Sequence, residues 1–279
     1  MNERNQNLVV RVVTALVLLP VVLVLLWLGG YWTGGLVAVA AGACALEYAQ
    51  LTAQRVGPAQ AASILGAFAL PLLATASPHG FAGPGLGVVA GVFYIAWIAA
   101  LLGGTVAEAP IRSAHAAAGT IYAGMGLAPV AALRAGPDGL GWVIAALVIT
   151  WANDTCAYFA GRALGRHKLY PSVSPNKTWE GFAGGFLGSV GGLFIARAVF
   201  PLVHVPAVLQ PLDCIVLGVA GGVFGPIGDL CESMLKRAYG AKDSGVLVPG
   251  HGGILDRVDA LLFNAPVVYL YLAVFRAPG

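Results

Sequence analysis

The sequence predicts an all-α, polytopic integral membrane helix bundle of about nine transmembrane helices, with a range of eight to ten. Three observations carry that expectation. Hydrophobic residues make up 58% of the 279-residue chain and charged residues only 10%, and the mean hydropathy is +0.83. One soluble core cannot bury that much apolar side chain, because the interior of a compact chain of this size is too small. Apolar runs of about 18–22 residues, each able to cross ~30 Å of hydrocarbon as a helix, recur along the whole length. Finally, the cations fall unevenly among the segments joining those runs, as the positive-inside rule requires.

The first run, 9–28, has Arg4 ahead of it and Arg11 at its start, as a signal peptide would. It is too long for an h-region and has no small-x-small cleavage site, so it is expected to stay as an anchor. The second, 32–52, carries Glu47 near its cytoplasmic end. A lone intramembrane carboxylate points to function by default, but this one lies where it can reach water or an arginine, and both readings stay open. Runs at 60–77, 84–103 and 116–134 are interrupted by Gly and Pro around 64–87 and 119–137, which widens the count of spans. Runs at 140–161, 181–200, 208–228 and 258–276 complete the set. Residues 1–140 thus form an N-terminal group of helices with few polar groups, and 141–279 a C-terminal group holding the polar clusters.

With a cytoplasmic N-terminus and nine spans, only Arg134, Arg197 and Arg276 of the 15 Lys and Arg fall on the far side. That bias accounts for the net charge of +3 without appeal to anionic lipid. Cys44, Cys156, Cys214 and Cys231 stand singly in or beside apolar runs. They read as small buried groups, since neither C-x-x-C spacing nor a histidine pair is present.

Three polar clusters face the cytoplasm in this topology. The first is Asn153-Asp154-Thr155 onward to Arg162, where Asp154, Tyr158, Gly161 and Arg162 share one helical stripe. An Asp at the centre of a membrane helix costs about 2.5–3.5 kcal/mol, so Asp154 needs an arginine or a cation. The second cluster, 165–181, contains Pro171 and Pro175, which impose extended or turn geometry, and sets Lys177 beside a helix N-terminus. That N-terminus suits a phosphate; a basic juxtamembrane loop is the other reading. The spacing of a Walker A loop is absent.

The third cluster begins at Gly228-Asp229. If the helix continues, Asp229, Ser233, Lys236 and Arg237 line one face, a carboxylate, a hydroxyl and two cations suited to a polyphosphate and its metal. Pro249-Gly250-His251-Gly252-Gly253 is a turn whose small residues let N–H groups close on an anion. Asp256, Arg257 and Asp259 open the last run, where either carboxylate can cap a helix. With Asp229 facing the same interface, Asp229 and Asp256 are the expected metal ligands, Asp154 a further candidate, and Asp259 a cap.

The pattern Ser-x-x-Lys-Arg, four residues, Lys-Asp, then His-Gly-Gly-x-x-Asp-Arg-x-Asp occurs at Ser233, Lys236, Arg237, Lys242, Asp243, His251, Gly252, Gly253, Asp256, Arg257 and Asp259. It resembles the signature of the phosphatidate cytidylyltransferases, also called CDP-diacylglycerol synthases. Val248 stands where that family more often has Leu, Ile or Phe. The resemblance runs upstream through Asp154-Thr155 and the Ser174–Thr178 loop, covering roughly the second half, while the first half is similar only as hydrophobic spans.

The resemblance implies transfer from CTP to phosphatidic acid, giving CDP-diacylglycerol and pyrophosphate in phospholipid biosynthesis. It implies Mg²⁺ with a second cation such as K⁺. The roles expected are Lys177, Asp229 and Asp256 as catalytic residues, and Ser233, Lys236, Arg237, Lys242, His251, Gly252, Gly253 and Arg257 around the phosphates. The expected setting is the bacterial inner (cytoplasmic) membrane with the active site facing the cytoplasm. Expected partners are CTP, phosphatidic acid and membrane lipid, with no nucleic acid and a homodimer left open. Two alternatives stand beside it. One is a cytidylyltransferase or CTP-dependent kinase acting on another lipid. The other is a secondary transporter of a phosphorylated anion, against which the clusters lie at one face and no internal repeat is seen.

Overall fold

The computed structural model describes residues 3–53, 56–103, 106–250 and 252–276, so the expectation for His251 lies outside the described residues. In chain order the helices are α1 (Glu3–Leu28), α2 (Gly30–Thr52), α3 (Pro58–Ala76), α4 (Ala82–Gly103), α5 (Ala109–Gly119) and α6 (Gly126–Ala135), the last two joined by a π-helical stretch, Thr120–Met125. Then come α7 (Gly139–Leu164), strands β1 (Lys168–Tyr170) and β2 (Ser174–Thr178), α8 (Trp179–Val199), α9 (Pro211–Ala238), α10 (Leu255–Val258) and α11 (Leu261–Phe275).

Among the described residues seven spans are long and apolar enough to cross a membrane, and shorter apolar helices cover Leu16–Leu28 and Leu261–Phe275. Each of the nine expected runs therefore falls on helix among the described residues, and the class is all-α and polytopic.

The chain divides into two compact units, Met1–Ala135 with Tyr239–Val258, and Gly136–Ala238 with Asp259–Gly279. Residues 239–258 thus group with the N-terminal helices. Side-chain ties explain this. Tyr239 and Tyr48 bond the two ring nitrogens of His115, at 3.1 and 3.3 Å, Thr14 Oγ1 donates to Pro249 O, and Glu47 takes three hydrogen bonds from 244–255.

In the first unit α2 and α3 pack through small side chains. Ala38, Ala41 and Ala45 on one and Ala67 and Ala74 on the other are fully buried. Close backbone approach is the main source of helix association in lipid, where the hydrophobic effect between helices is absent. The last carbonyls of α1, Leu26 O and Trp27 O, accept from Arg134 Nε and Nη2 at 2.7 and 2.8 Å, which satisfies groups that hydrocarbon cannot.

In the second unit α7, α8, α9 and α11 pack together. Pro226 lies inside α9 and has no N–H, so the carbonyl of Gly222 loses its helical donor. Asn153 of α7 replaces it: its Nδ2 donates to Gly222 O at 3.3 Å and to Ser189 Oγ of α8 at 3.1 Å. Asn264 Nδ2 of α11 donates to Thr150 Oγ1 of α7 at 3.0 Å. At the far end of α9, buried Asp213 accepts from Gln210 N at 2.6 Å and Tyr271 Oη at 2.5 Å and pairs with Arg276. These buried polar links fix the register of the helices that carry the site.

Candidate active site

Three elements of the second unit bring together the first two polar clusters and the start of the third. The expected stripe on α7 exists: Asp154, Tyr158, Gly161 and Arg162 all line one cavity of about 540 Å³. Arg162 donates to Tyr158 Oη, one turn away, at 3.0 Å. The second cluster folds as a hairpin in which Lys168 pairs with Thr178 and Tyr170 with Ser174. Pro171 falls in the turn and Pro175 on the strand, as the proline geometry requires. The hairpin is clamped at its base, where Trp179 N donates to His167 O at 2.9 Å and His167 Nδ1 meets Glu180 Oε1 at 2.6 Å.

This hairpin places Lys177, whose Nζ lies 2.6 Å from Asp229 Oδ2 of α9. Both groups line the cavity and both are mostly shielded, so water screens the pair weakly. The N-terminus of α8, expected to seat a phosphate, already has a cap: Thr178 Oγ1 accepts from Gly181 N at 3.1 Å. Glu180 adds a carboxylate to the first turn.

α9 continues past 228 to Ala238, which puts Asp229, Glu232, Ser233 and Lys236 on adjacent turns. Ser233 Oγ donates to Asp229 Oδ1 at 3.3 Å. Lys236 pairs with Glu232 at 2.5 Å. Asp259, at the turn ahead of α11, joins them: one oxygen from each of Asp229, Glu232 and Asp259 lies within 4.8 Å of the others. Gly228 makes room for this, because a Cβ there would stand 2.6 Å from Asp259 O. Asp259, expected as a cap, accepts its neighbour's N–H, Ala260 N at 2.8 Å, and among the described residues α11 has no side-chain cap.

The remaining signature residues belong to the first unit. Asp256 Oδ2 accepts from Ser244 N and Gly253 N, each at 2.9 Å, and lies 2.9 Å from Ser244 Oγ. Gly252 and Arg257 line a second cavity, of about 440 Å³, with Asp243, and Lys242 is exposed. Arg237 is an exposed residue of α9, in the second unit. The structure thus gathers Asp154, Lys177, Asp229 and Ser233 in one unit, and Lys242, Gly252, Gly253, Asp256 and Arg257 in the other.

Three residues outside the expected site set stand out. Glu232 completes the carboxylate group, and its i+3 spacing from Asp229 on a continuing helix was the available signal. Glu47 and Ser244 are both buried. The unexplained carboxylate of an apolar run announced the first, and nothing local announced the second.

An all-helical polytopic fold with clustered carboxylates, a half-buried lysine–aspartate pair and a cavity with charged and apolar walls defines the class: helical membrane proteins with a polar site. The chain belongs to the cytidylyltransferase family, whose family model matches residues 9–275. It is 44% identical over 164 residues to a phosphatidate cytidylyltransferase of Brucella suis, covering 58% of each chain. It is also 46% identical over 140 residues to one of Bacillus subtilis, covering 49% of each. A third, from Staphylococcus epidermidis, is 46% identical over 135 residues, 48% of this chain and 50% of the relative. The matched segment therefore spans about half to three-fifths of the length of these curated relatives.

Proposed function

We propose that the chain transfers the cytidylyl group of CTP to phosphatidate, giving CDP-diacylglycerol and pyrophosphate, at the cytoplasmic face of a bacterial inner membrane. The observation that carries this reading is the cavity of the second unit. Ala157, Leu169 and Phe182 give it an apolar wall, while Asp154 and the Lys177–Asp229 pair give it a charged one. A soluble phosphate has no use for the first wall, and a neutral lipid has none for the second. The names of the relatives support the same reading.

The chemistry asks for charge control more than for a base. Phosphatidate brings an ionised nucleophile, since a phosphate monoester has a second pKa of about 6. One of its oxygens attacks the α-phosphorus of CTP in line; that P–O bond forms as the bond to the β-phosphate bridge breaks, and pyrophosphate leaves. No proton has to be removed from the nucleophile. The barrier is repulsion between anions, which alignment and fixed cations lower. Lys177 is the cation best placed on the acceptor side, with Arg162 at the cavity wall. Ser233, Arg237, Lys242, Gly252, Gly253 and Arg257 serve the phosphates, and Lys236 joins them by exchanging its Glu232 partner.

The carboxylates of Asp229, Glu232 and Asp259 form an all-oxygen donor set, which fits a hard cation such as Mg²⁺. Bound there, with a second cation such as K⁺, it would neutralise charge developing on the phosphates. Asp256 and Asp154 remain proposed ligands. The test is incubation of the purified protein in detergent with phosphatidate, Mg²⁺ and CTP labelled in the cytidine. Labelled CDP-diacylglycerol is the expected product. Lipid labelled only from γ-phosphate-labelled CTP would make the protein a kinase and overturn the reading.

A further inference from the structure

Glu47 is the most deeply committed carboxylate of the first unit. It sits on α2 within an apolar span, is fully buried, and accepts with both oxygens. Ile254 N donates to Oε1 at 2.9 Å; Leu255 N and Ser244 Oγ donate to Oε2 at 2.8 and 3.0 Å. A carboxylate in hydrocarbon is expensive unless such donors surround it, and every one of these donors comes from the signature segment. The dependence runs both ways, since Ile254 and Leu255 would otherwise bury unpaired N–H groups. The fit is close: a Cβ at Gly253 would stand 2.5 Å from Glu47 Oε2 and collide with Ser244 Oγ.

The Ser244 hydroxyl stands between two carboxylates, 3.0 Å from Glu47 Oε2 and 2.9 Å from Asp256 Oδ2, and its single hydrogen serves one of them at a time. Asp256 Oδ2 also takes the N–H groups of Ser244 and Gly253, which commits that oxygen to the loop and sets the orientation of the carboxylate. Arg257 follows directly in the chain.

We propose that Glu47 is a positioning residue for the cytidylyl transfer: through Ser244 and the Ile254 and Leu255 N–H groups it holds the signature loop so that Asp256 and Arg257 meet the triphosphate. The inference rests on the function proposed above. The loop serves the nucleotide and the cavity of the second unit serves the lipid, so disturbing Glu47 affects the two substrates differently.

Glu47→Gln is the sharpest perturbation. An amide offers one acceptor oxygen and an NH₂, so at least one loop N–H would face another N–H. The KM values for CTP and phosphatidate are measured for Glu47→Gln and Ser244→Ala in the full-length protein. In parallel, loop motion is read by spin resonance from a label on Val246→Cys in a cysteine-free background, a position 91% exposed. The expected result is a KM for CTP raised about tenfold, with the KM for phosphatidate changed by less than about twofold and a faster-moving label. Ser244→Ala should show the same split, smaller in size. Unchanged constants would overturn the proposal, as would a lower kcat with both KM values intact, the mark of lost folded protein, or an unmoved label. Should Glu47→Gln fail to give a monodisperse protein, Ser244→Ala decides by the same criteria. If the unmutated protein forms no CDP-diacylglycerol, the proposed function fails, and the label still reports whether Glu47 fixes the loop.

Discussion

Asn153 and Pro226 flank the residues that carry the chemistry, Asp154 and Asp229, and the structure makes their energetic coupling calculable. Removing Asn153 as Ala deletes the bonds to Ser189 Oγ and Gly222 O. Interhelical hydrogen bonds in membrane proteins average about 0.6 kcal/mol, with a maximum near 1.7. Two such bonds set the cost at about 1–3 kcal/mol, toward the upper end because Pro226 leaves Gly222 O no other backbone donor. Pro226→Ala restores that donor, so in its background Asn153→Ala should lose little more than the Ser189 bond. The double-mutant cycle should therefore show a coupling of about 0.5–1.5 kcal/mol between two residues whose side chains make no hydrogen bond to each other. Unfolding by SDS titration in mixed micelles, followed through the fluorescence of the six tryptophans, measures all four corners. Additivity within about 0.3 kcal/mol would show that Asn153 does not substitute for the missing helix donor.

The carboxylate group gives a second expectation: Asp229→Asn and Asp259→Asn should each lower turnover by about 10–100-fold or more and move Mg²⁺ half-saturation upward. Near wild-type turnover of Asp229→Asn at saturating Mg²⁺ would remove it as a ligand, and Asp256→Asn in the same titration shows whether that residue also holds the cation. For orientation, single cysteines at Ser172 and Val246, both exposed, should react with an impermeant maleimide only from the cytoplasmic side; labelling from outside inverts the topology. Transfer should be direct, because the acceptor is already ionised and a covalent detour gains nothing. Exchange of labelled pyrophosphate into CTP should accordingly require phosphatidate or CDP-diacylglycerol, and robust exchange with CTP and enzyme alone would demonstrate a cytidylyl-enzyme intermediate.

What was legible in the sequence, and what was not, follows from the range of the contacts involved. Span positions depend on composition over about twenty residues, and each expected run falls on a helix. The α7 stripe depends on the 3.6-residue period, and its four residues share the cavity. The pairing of Lys236 with Glu232 is equally local, an i,i+4 contact, on a lysine that also suits a phosphate. The division of the chain was different in kind. Glu47 and Ser244 are 197 residues apart, and no periodicity connects an apolar helix to a polar loop so distant. The clue was energetic rather than periodic: a carboxylate in an apolar run must have partners, and a loop closing into a helix start has N–H groups to offer. The site shows the same logic. Asp229 and Asp259 were both visible, but their meeting depends on Gly228, where the missing side chain admits the Asp259 carbonyl and brings the carboxylate with it. A glycine contributes no polar atom, so a reading that searched for charged groups had no reason to weigh the residue that lets two of them come together.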